Sequence, residues 1–304
     1  MDKLRVSDSE ALVLVQSLRH VPPPPLDIRR CSEGGDHLVW TINDALVLRV
    51  PADQSSGEEP LLRERRLLDL LRRNDKLAPL VPLCVDVGVW NPHGRQYALY
   101  HKAKGVSVES DPRGVTRGTE DDLVAFLVAL GGVRVGDALG IGVPEGEEVD
   151  LDELRGRATA ALDVLRRRQQ LMELDEVISL EKLDAPGHVQ PGSSMRRVLT
   201  HADLKGEHVF LDAAGRVTGV IDWSDARVGC PSVEVSGLAV AVGARMAARV
   251  AKRAGYEADI VCKGVIMARC NGVLCLEAIL RGDDDSPELL VRRQLRRAFE
   301  EFDA

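Results

Sequence analysis

The stretch of residues 198–234 constrains the fold more than any other part of the chain, because it places acidic residues around a pair of short strands. Apolar runs at residues 209–211 and 217–221 are separated by a glycine-containing turn, a pattern typical of a β-hairpin. Asp203 precedes the first run and Asp222 follows the second. We therefore expect both carboxylates at the same end of the hairpin, where a divalent cation and a phosphate ester could bind.

Composition and charge narrow the classes of function. The chain has 304 residues, of which 44% are hydrophobic and 29% charged, which is typical of a soluble globular protein with one large or two smaller domains. Aromatic residues make up only 3% and the net charge is -8, so a nucleic-acid surface built on base stacking and phosphate contacts is not expected. The acidic balance is compatible with a cationic small-molecule partner.

Cysteine spacing and hydropathy predict the compartment. The 6 cysteines form no CxxC pair and no zinc-ligand spacing, which favours free thiols in a reducing environment. The N-terminal segment is too polar for a signal peptide, and no apolar run approaches the length of a membrane span. We therefore expect a cytoplasmic enzyme or binding protein without a membrane partner.

The first third of the chain is rich in strand signals. Ser7 is a predicted N-cap of a short helix, and two strands are predicted to meet at Asn43 and Asp44. Arg49 lies between apolar neighbours near the end of the next strand, where it either points into a cleft or belongs to a solvated face. Glu64 lies on a predicted leucine-rich amphipathic helix, and taken by itself it is interpreted as a solvated surface charge.

Turns and a linker are also predicted from the sequence. Residues 31–36 and 91–94 are predicted to be turns, and residues 187–194 are predicted to be a Pro/Gly/Ser linker. The first turn has two glycines and could lie over phosphates, although an ordinary tight turn explains them equally well.

Beyond a hinge at residues 102–105 the pattern becomes mainly helical. Thr119 is a predicted N-cap, and the opening hairpin interrupts an otherwise helical remainder. The sequence therefore predicts an α+β fold with a strand-rich first part. Further helices are predicted at residues 153–173, 235–254, 258–280 and 287–302.

Four motifs in order resemble the aminoglycoside and macrolide phosphotransferase family. They are a strand ending in VLRVP, a helix with RERRLLDLL, the pattern H-x-D-L-x(4)-V-x-L-D, and the stretch G-V-I-D-W-S-D-A-R-V-G. The resemblance implies a bilobal, protein-kinase-like fold with ATP bound between the lobes. It implies a small β-rich N-lobe at residues 1–104 that binds the nucleotide, and a larger, mainly helical C-lobe at residues 105–304 with the catalytic loop and the substrate site.

The resemblance also implies roles for residues of the hairpin region. Asp203 would be the catalytic aspartate that accepts or orients the substrate hydroxyl, and His201 the structural histidine of the catalytic loop. Asp222 would hold Mg²⁺ on the nucleotide phosphates, with His208 as the second metal ligand. Trp223 is expected to be a packing residue. Asp225 either binds the metal indirectly or braces the loop.

The implied nucleotide site is formed by four residues of the first part of the chain. Arg49 occupies the place of the strand lysine that contacts phosphates, and Glu64 that of its helix partner. Tyr100 and Ala103 complete the implied cofactor site. Arginine keeps the positive charge of lysine but changes its reach and geometry.

The chain departs from the family pattern at several positions near the catalytic loop. Ala202 replaces a glycine, and His208 replaces the usual asparagine. Cys230 and Glu234 replace the two aspartates of a GDP-x-x-D segment, which predicts a looser catalytic loop because these aspartates normally brace it.

These features lead to two classes of function. The first is an ATP-dependent O-phosphotransferase, with GTP as an alternative donor and Mg²⁺ as cofactor, acting on an antibiotic of the aminoglycoside or macrolide type or on a metabolite. Acidic stretches at residues 145–153 and 283–285 favour a cationic aminoglycoside if they line the cleft. The second is a degenerate kinase-like protein that binds nucleotide without transferring phosphate, a hypothesis motivated by the four substitutions.

Overall fold

The chain contains two compact units of different composition. The computed structural model describes residues 6–31, 37–52, 59–90, 94–111, 113–183 and 197–303. The units are Met1–Lys104, which holds a five-stranded sheet, and Gly105–Ala304, which holds most of the helices. This distribution confirms the predicted α+β fold class. Most of the turns predicted at residues 31–36 and 91–94, and the predicted linker, lie outside the described residues.

An antiparallel sheet organises the first unit. Its neighbouring strands, in spatial order, are β1 (Ile28–Arg30), β2 (His37–Ile42), β3 (Leu46–Pro51), β5 (Arg95–His101) and β4 (Cys84–Trp90). Asn43 and Asp44 connect β2 to β3 with φ angles of 50° and 54°, a left-handed conformation that short polar side chains tolerate. This confirms the turn predicted at these residues.

Two helices accompany this sheet. Helix α1 (Asp8–Ser17) begins with a capping box between Ser7 and Glu10, which confirms the predicted N-cap. Helix α2 (Glu59–Leu71) follows β3 in the chain and has a leucine-rich buried face. The hydrophobic core of α1 and the sheet includes Leu14, Val15, Trp40, Ile42, Leu48, Val50 and Leu99.

The second unit contains the predicted hairpin. Strands β8 (Val209–Leu211) and β9 (Val217–Val220) pair antiparallel, as the sequence predicted. Strand β6 (Val106–Ser107) adds to the free edge of β8. A separate pair is formed by β7 (Val198–Thr200) and β10 (Arg227–Gly229), which flank the hairpin in the chain.

Helices form the rest of the second unit. Both α5 (Leu151–Arg167) and α7 (Ser232–Val242) pack along α9 (Ala258–Arg281), the longest helix among the described residues. No helix among the described residues is both long and apolar enough to cross a membrane. Further helices are α3 (Arg117–Gly131), α4 (Val135–Gly140), α6 (Leu180–Leu183), α8 (Ala244–Arg253) and α10 (Glu288–Ala298).

Several helix boundaries differ from the prediction. The helix predicted over residues 153–173 ends at Arg167, because Gln169 has a φ of 56° that does not continue an α-helix, and the helix predicted over residues 287–302 ends at Ala298. The helix predicted over residues 235–254 is two helices, because Gly243 adopts a φ of 89° that breaks the helical conformation. Helix α3 is capped by Thr116 and not by Thr119. Thr119 instead forms the second half of the capping box, and its Oγ1 donates a hydrogen bond of 2.7 Å to Gly215 O in the hairpin turn. This bond ties α3 to the hairpin.

Candidate functional site

The loop of residues 201–208 connects β7 to β8 and carries the predicted catalytic aspartate. It lies directly on α7, because a Cβ built on Gly237 would lie 2.9 Å from backbone atoms of Leu204. Ala202 adopts a φ of 67°, a conformation that strains a residue with a Cβ. The glycine usual at this position is the residue that this backbone conformation favours.

His201 is fully buried and fixes the conformation of the loop. Its Nδ1 accepts a hydrogen bond of 3.2 Å from Asp203 N, so Nε2 carries the proton and donates to Ile221 O at 2.9 Å. Burial lowers the pKa of His201 to about 4, which keeps the imidazole neutral. The buried Trp223 ring packs on it edge to face at 4.6 Å between ring centroids, which agrees with the packing role expected for Trp223.

Asp203 lies at the partly exposed side of this loop. Lys205, which was not predicted as a site residue, places its Nζ 3.0 Å from Asp203 Oδ1. Burial alone would lower the pKa of Lys205, but the carboxylates of Asp203, Glu207 and Asp225 outweigh it and raise that pKa. The lysine is therefore held in its charged form beside the aspartate. In the sequence, only the position of Lys205 two residues after Asp203 in the motif could have indicated that it belongs to the site.

His208 lies between the predicted catalytic aspartate, Asp203, and the predicted metal ligand Asp222. Its Nδ1 donates a hydrogen bond of 2.8 Å to the backbone carbonyl of Asp203, because a carbonyl oxygen can only accept. In the neutral imidazole the lone pair is therefore on Nε2, which lies 3.8 Å from Asp222 Oδ2. Its Nδ1 also lies 3.4 Å from Asp203 Oδ2. The structure thus brings Asp203, His208 and Asp222 together at one end of the hairpin.

Asp222 is held in an uncommon conformation at the exit of β9. Its φ is 65°, and Ser224 Oγ donates a hydrogen bond of 2.9 Å to its Oδ1. The other carboxylate oxygen faces His208 Nε2. Residues held in such sparsely populated conformations are common at ligand sites.

The donor atoms of His208 and Asp222 fit a cation that is bound together with a nucleotide. In the described part of the chain no group of three or more Cys, His, Asp or Glu side chains could hold a metal ion alone. Mg²⁺ bound with a nucleotide usually takes one or two protein carboxylates and completes its shell with phosphate oxygens and water. The carboxylate of Asp222 and the lone pair of His208 Nε2 supply such a partial set.

Glu234 braces the catalytic loop from α7. Its side chain is fully buried, and its Oε1 accepts a hydrogen bond from the backbone N of His201. Burial raises the pKa of Glu234 to about 7, although hydrogen bonds from the backbone of His201 and Ala202 act in the opposite direction. The longer side chain of glutamate reaches the loop from this position, so the expected loss of bracing does not occur at Glu234. Cys230 Sγ lies 3.1 Å from Ser232 Oγ.

The charges of Asp203 and Asp222 act on the nearby carboxyl of Asp225. Partial removal from water raises the pKa of Asp225, and the charges of Asp203 and Asp222 raise it further, although the residue remains exposed. The charges of Arg227 and Lys205 act in the opposite direction, so these three carboxylates lie near two cations.

A second cluster, formed by Arg49, Glu64, Tyr100 and His37, lies in the first unit. Arg49 Nη1 donates to Glu64 Oε1 at 3.3 Å, which joins β3 to α2. Glu64 is buried, so its interpretation as a solvated surface charge was wrong. The reason is tertiary: Glu64 lies on the buried side of α2, where Arg49 and the Tyr100 hydroxyl donate to its two oxygens.

Tyr100 lies on β5 and contacts Glu64 directly. Its hydroxyl donates to Glu64 Oε2 at 3.1 Å, and burial together with the Glu64 charge raises the pKa of Tyr100 well above its usual value. His37 was also not predicted as a site residue, and its Nδ1 lies 3.2 Å from Arg49 Nη2. Three of the four predicted nucleotide-site residues thus form one cluster. Ala103 follows β5 and is half-buried.

Comparisons with known proteins identify the family of the chain. The family model described as "Phosphotransferase enzyme family" matches residues 27–262. No curated protein sequence matches the chain.

Solved structures show the same fold at low sequence identity. The GDP complex of wild-type aminoglycoside 2'-phosphotransferase-IIIa is similar with a TM-score of 0.67 at 19% identity, covering 96% of this chain and 98% of that chain. The streptomycin-ATP-APH(2")-IIa ternary complex has a TM-score of 0.61 at 18% identity, covering 97% and 99%. The macrolide 2'-phosphotransferase MphH from Brachybacterium faecium has a TM-score of 0.57 at 20% identity, covering 95% and 97%. The chain therefore has the fold of kinase-like phosphotransferases.

Proposed function

Because the chain belongs to the phosphotransferase enzyme family, we propose that it transfers the γ-phosphoryl group of ATP to a hydroxyl of a small molecule. The observation that carries this proposal is the contact of His208 with both Asp203 and Asp222 at one end of the hairpin. GTP is the alternative donor, since solved relatives are complexes with ATP or with GDP. We propose that the first unit binds the nucleotide and that the second carries the acceptor site.

In this proposal Asp203 acts on the acceptor hydroxyl. Its carboxylate orients the hydroxyl and accepts the proton as the oxygen attacks the γ-phosphorus. The His201 imidazole holds the backbone N of Asp203, so the carboxylate stays in position during the reaction. Lys205 faces Asp203 Oδ1 and supplies a positive charge beside the carboxylate that accepts the hydroxyl proton.

Asp222 and His208 would hold Mg²⁺, which supplies charge neutralisation on the β- and γ-phosphates when it is bound. The hydrogen bond from His208 Nδ1 to the Asp203 carbonyl keeps Nε2 turned toward Asp222. Ser224 orients the Asp222 carboxylate from the opposite side.

Arg49 is proposed to contact the nucleotide phosphates. Its pairing with Glu64 reproduces, with arginine in place of lysine, the strand-to-helix ion pair that phosphotransfer in kinases requires. Ala103, which follows β5, stays a predicted nucleotide contact.

The acceptor is proposed to be an antibiotic of the aminoglycoside or macrolide type. Relatives of known structure include complexes with kanamycin, streptomycin and gentamicin. The predicted acidic stretches are partly balanced within the chain, because Glu145 pairs with Arg197 at 2.8 Å and Glu148 with Lys263 at 3.6 Å. The surplus of carboxylates around Asp203 supports a cationic acceptor better than these stretches do. A cytoplasmic location stays a prediction.

The experiment that tests this function is a phosphorylation screen read by mass spectrometry. Purified chain is incubated with ATP or GTP, Mg²⁺, and a panel of aminoglycosides, macrolides and hydroxylated metabolites. We expect a phosphate adduct on at least one antibiotic in the panel. A metabolite as the only acceptor would replace the antibiotic proposal, and nucleotide binding without any adduct would favour the degenerate alternative.

A pair of matched variants assigns any activity to the site. Asp222→Asn removes the proposed metal-binding charge and is expected to abolish the adduct, while Asp163→Asn changes an exposed aspartate of α5 and is expected to leave it intact. Equal activity of the two variants would contradict the role proposed for Asp222.

A further inference from the structure

We infer that Tyr100 and His37 are positioning residues that hold Arg49 for phosphate binding, and that the cluster is built for arginine and not for lysine. The inference rests on the proposed function, because it takes Arg49 as the phosphate contact. It goes further by assigning roles to two residues that do not themselves need to touch the nucleotide.

The buried carboxylate of Glu64 is held by donors from two strands. Each of its oxygens receives a donor from a different strand, Arg49 from β3 and Tyr100 from β5. A buried carboxylate is stable only when its oxygens are hydrogen-bonded, and its orientation follows its donors. The Tyr100 hydroxyl therefore helps to orient the carboxylate with which Arg49 pairs.

The two terminal nitrogens of Arg49 contact different residues. Nη1 donates to Glu64, whereas Nη2 lies 3.2 Å from His37 Nδ1. Since a guanidinium only donates, His37 Nδ1 is the acceptor and its proton is on Nε2. The planar guanidinium is thus anchored on one side by α2 and on the other by the first residue of β2. A lysine has a single terminal nitrogen and lacks this fork geometry.

The Tyr100 ring adds a contact to the same guanidinium. Arg49 Cζ lies 5.9 Å from the centroid of the Tyr100 ring, within the range of a cation–π interaction. Tyr100 thus acts on Arg49 through its ring and, by way of Glu64, through its hydroxyl. Removal of the hydroxyl alone leaves the ring contact in place, so the two effects are separable.

The first test compares two tyrosines of β5. Tyr100→Phe removes the hydroxyl that contacts Glu64, while Tyr97→Phe removes a hydroxyl that donates instead to Asp86 Oδ2 at 3.0 Å. Both residues are buried. We expect Tyr100→Phe to weaken ATP binding by about fivefold, the typical effect of one hydrogen bond, without weakening adenosine binding. Tyr97→Phe is expected to leave the ratio of ATP to adenosine affinity unchanged. Equal ratios in the two variants would overturn the role of Tyr100.

The second test asks whether His37 acts through the arginine fork. Isothermal titration with ATP is carried out on His37→Ala, Arg49→Lys and the double variant. We expect His37→Ala to weaken ATP binding by about fivefold in the presence of Arg49 and to have little further effect after Arg49→Lys. The same loss in both backgrounds would overturn the inference, because His37 would then act independently of Arg49.

One more variant separates failure of the inference from failure of the proposed function. If Arg49→Ala binds ATP as tightly as the unchanged chain, the proposed phosphate contact itself is wrong. If Arg49→Ala weakens ATP binding but Tyr100→Phe and His37→Ala do not, only the inference is wrong. Adenosine affinity and thermal unfolding of each variant report whether the first unit is intact, and the Michaelis constant for ATP is expected to change more than kcat.

Discussion

The cluster around Arg49 in the first unit and the cluster around Asp203 in the second differ in how their charges are balanced. The side chains of Arg49 and Glu64 are only 12% and 3% exposed, and each charge has its counterpart inside the cluster. Asp203 and Asp222 are 21% and 32% exposed, and with Asp225 they lie near the two cations Lys205 and Arg227. The first cluster holds one cation in place. In the second, the carboxylates of Asp203, Asp222 and Asp225 lie near two cations, and we expect this balance to favour a metal-nucleotide complex or a cationic acceptor.

Backbone conformation separates the two clusters as well. Ala202 and Asp222 both have positive φ angles, of 67° and 65°, and both lie beside the proposed reacting groups. The cluster around Arg49 is carried by regular strands and by α2. Strained backbone positions thus occur within the second cluster, whereas the residues proposed to position Arg49 lie on regular elements.

The largest effect on stability is expected from Glu64→Ala. Removing one partner of a buried ion pair leaves the other charge without its counterpart, which costs about 3 to 5 kcal/mol of unfolding free energy. Asp27→Ala is the matched control, because Asp27 pairs with Arg29 in a contact where both side chains are largely exposed. Its effect should stay below about 1 kcal/mol. Chemical denaturation measures both, and similar losses would show that the burial of the cluster contributes little.

The next largest effect is expected on the pH dependence of the unfolding free energy, through the carboxyl group of Glu234. The pKa of this carboxyl is raised from 4.5 to about 7 in the folded chain, so the folded state binds more protons than the unfolded state between these values. Stability should therefore fall as the pH rises from about 4.5 to about 7, and then level off. Glu234→Gln has no such group, and its stability relative to the unchanged chain should increase across this range by up to about 3 kcal/mol.

Denaturation of the two proteins side by side isolates Glu234 from other titrating groups. His201, with its pKa lowered to about 4, favours the fold at higher pH and acts in the opposite direction, but it is present in both proteins. A stability difference that does not change with pH would contradict the raised pKa of Glu234.

A smaller effect is expected on metal preference. An imidazole ligand favours Mn²⁺ over Mg²⁺ more than an amide oxygen does, so His208→Asn should lower the affinity for Mn²⁺-nucleotide relative to Mg²⁺-nucleotide by about tenfold. In the unchanged chain, pulsed electron paramagnetic resonance of bound Mn²⁺ should show coupling to an imidazole nitrogen, and the variant should lose it. His20→Asn, at an exposed position, is the control. Nitrogen coupling that survives in His208→Asn would rule out His208 as a ligand.

The smallest expected effect concerns the backbone strain at Ala202. Ala202→Gly relieves the strained φ but makes the unfolded chain more flexible, so we expect a net gain of about 0.5 to 1 kcal/mol. Ala202→Val should lower stability, because a β-branched residue tolerates this conformation poorly. Thermal unfolding distinguishes the two. A gain in stability with valine would contradict the conformation of the loop.

Local patterns in the sequence predicted much of this fold. The hairpin and the Ser7 cap were found because each depends on a few neighbouring residues. The break at Gly243 was missed because apolar residues continue on both sides of it. Thr116 and Thr119 are three residues apart and both suit a cap, so only the structure shows which begins α3.

The predictable part of the candidate sites was smaller, since burial and reach depend on tertiary contacts. The resemblance indicated Glu64, but nothing in the helix pattern showed that Arg49 and Tyr100 would cover its carboxylate. The sequence predicted that Glu234 would not brace the catalytic loop as the usual aspartate does. Only its placement on α7 shows that the longer side chain still reaches His201.

The role of Asp203 can be measured in a single turnover. Enzyme in excess over radiolabelled ATP is mixed with an acceptor identified by the screen, and the rates of phosphoryl transfer in the unchanged chain and in Asp203→Asn are compared. We expect the variant to bind ATP normally and to transfer phosphate slower by on the order of 10³-fold, because the amide cannot accept the hydroxyl proton. A variant that transfers phosphate at the rate of the unchanged chain would show that Asp203 does not act on the acceptor.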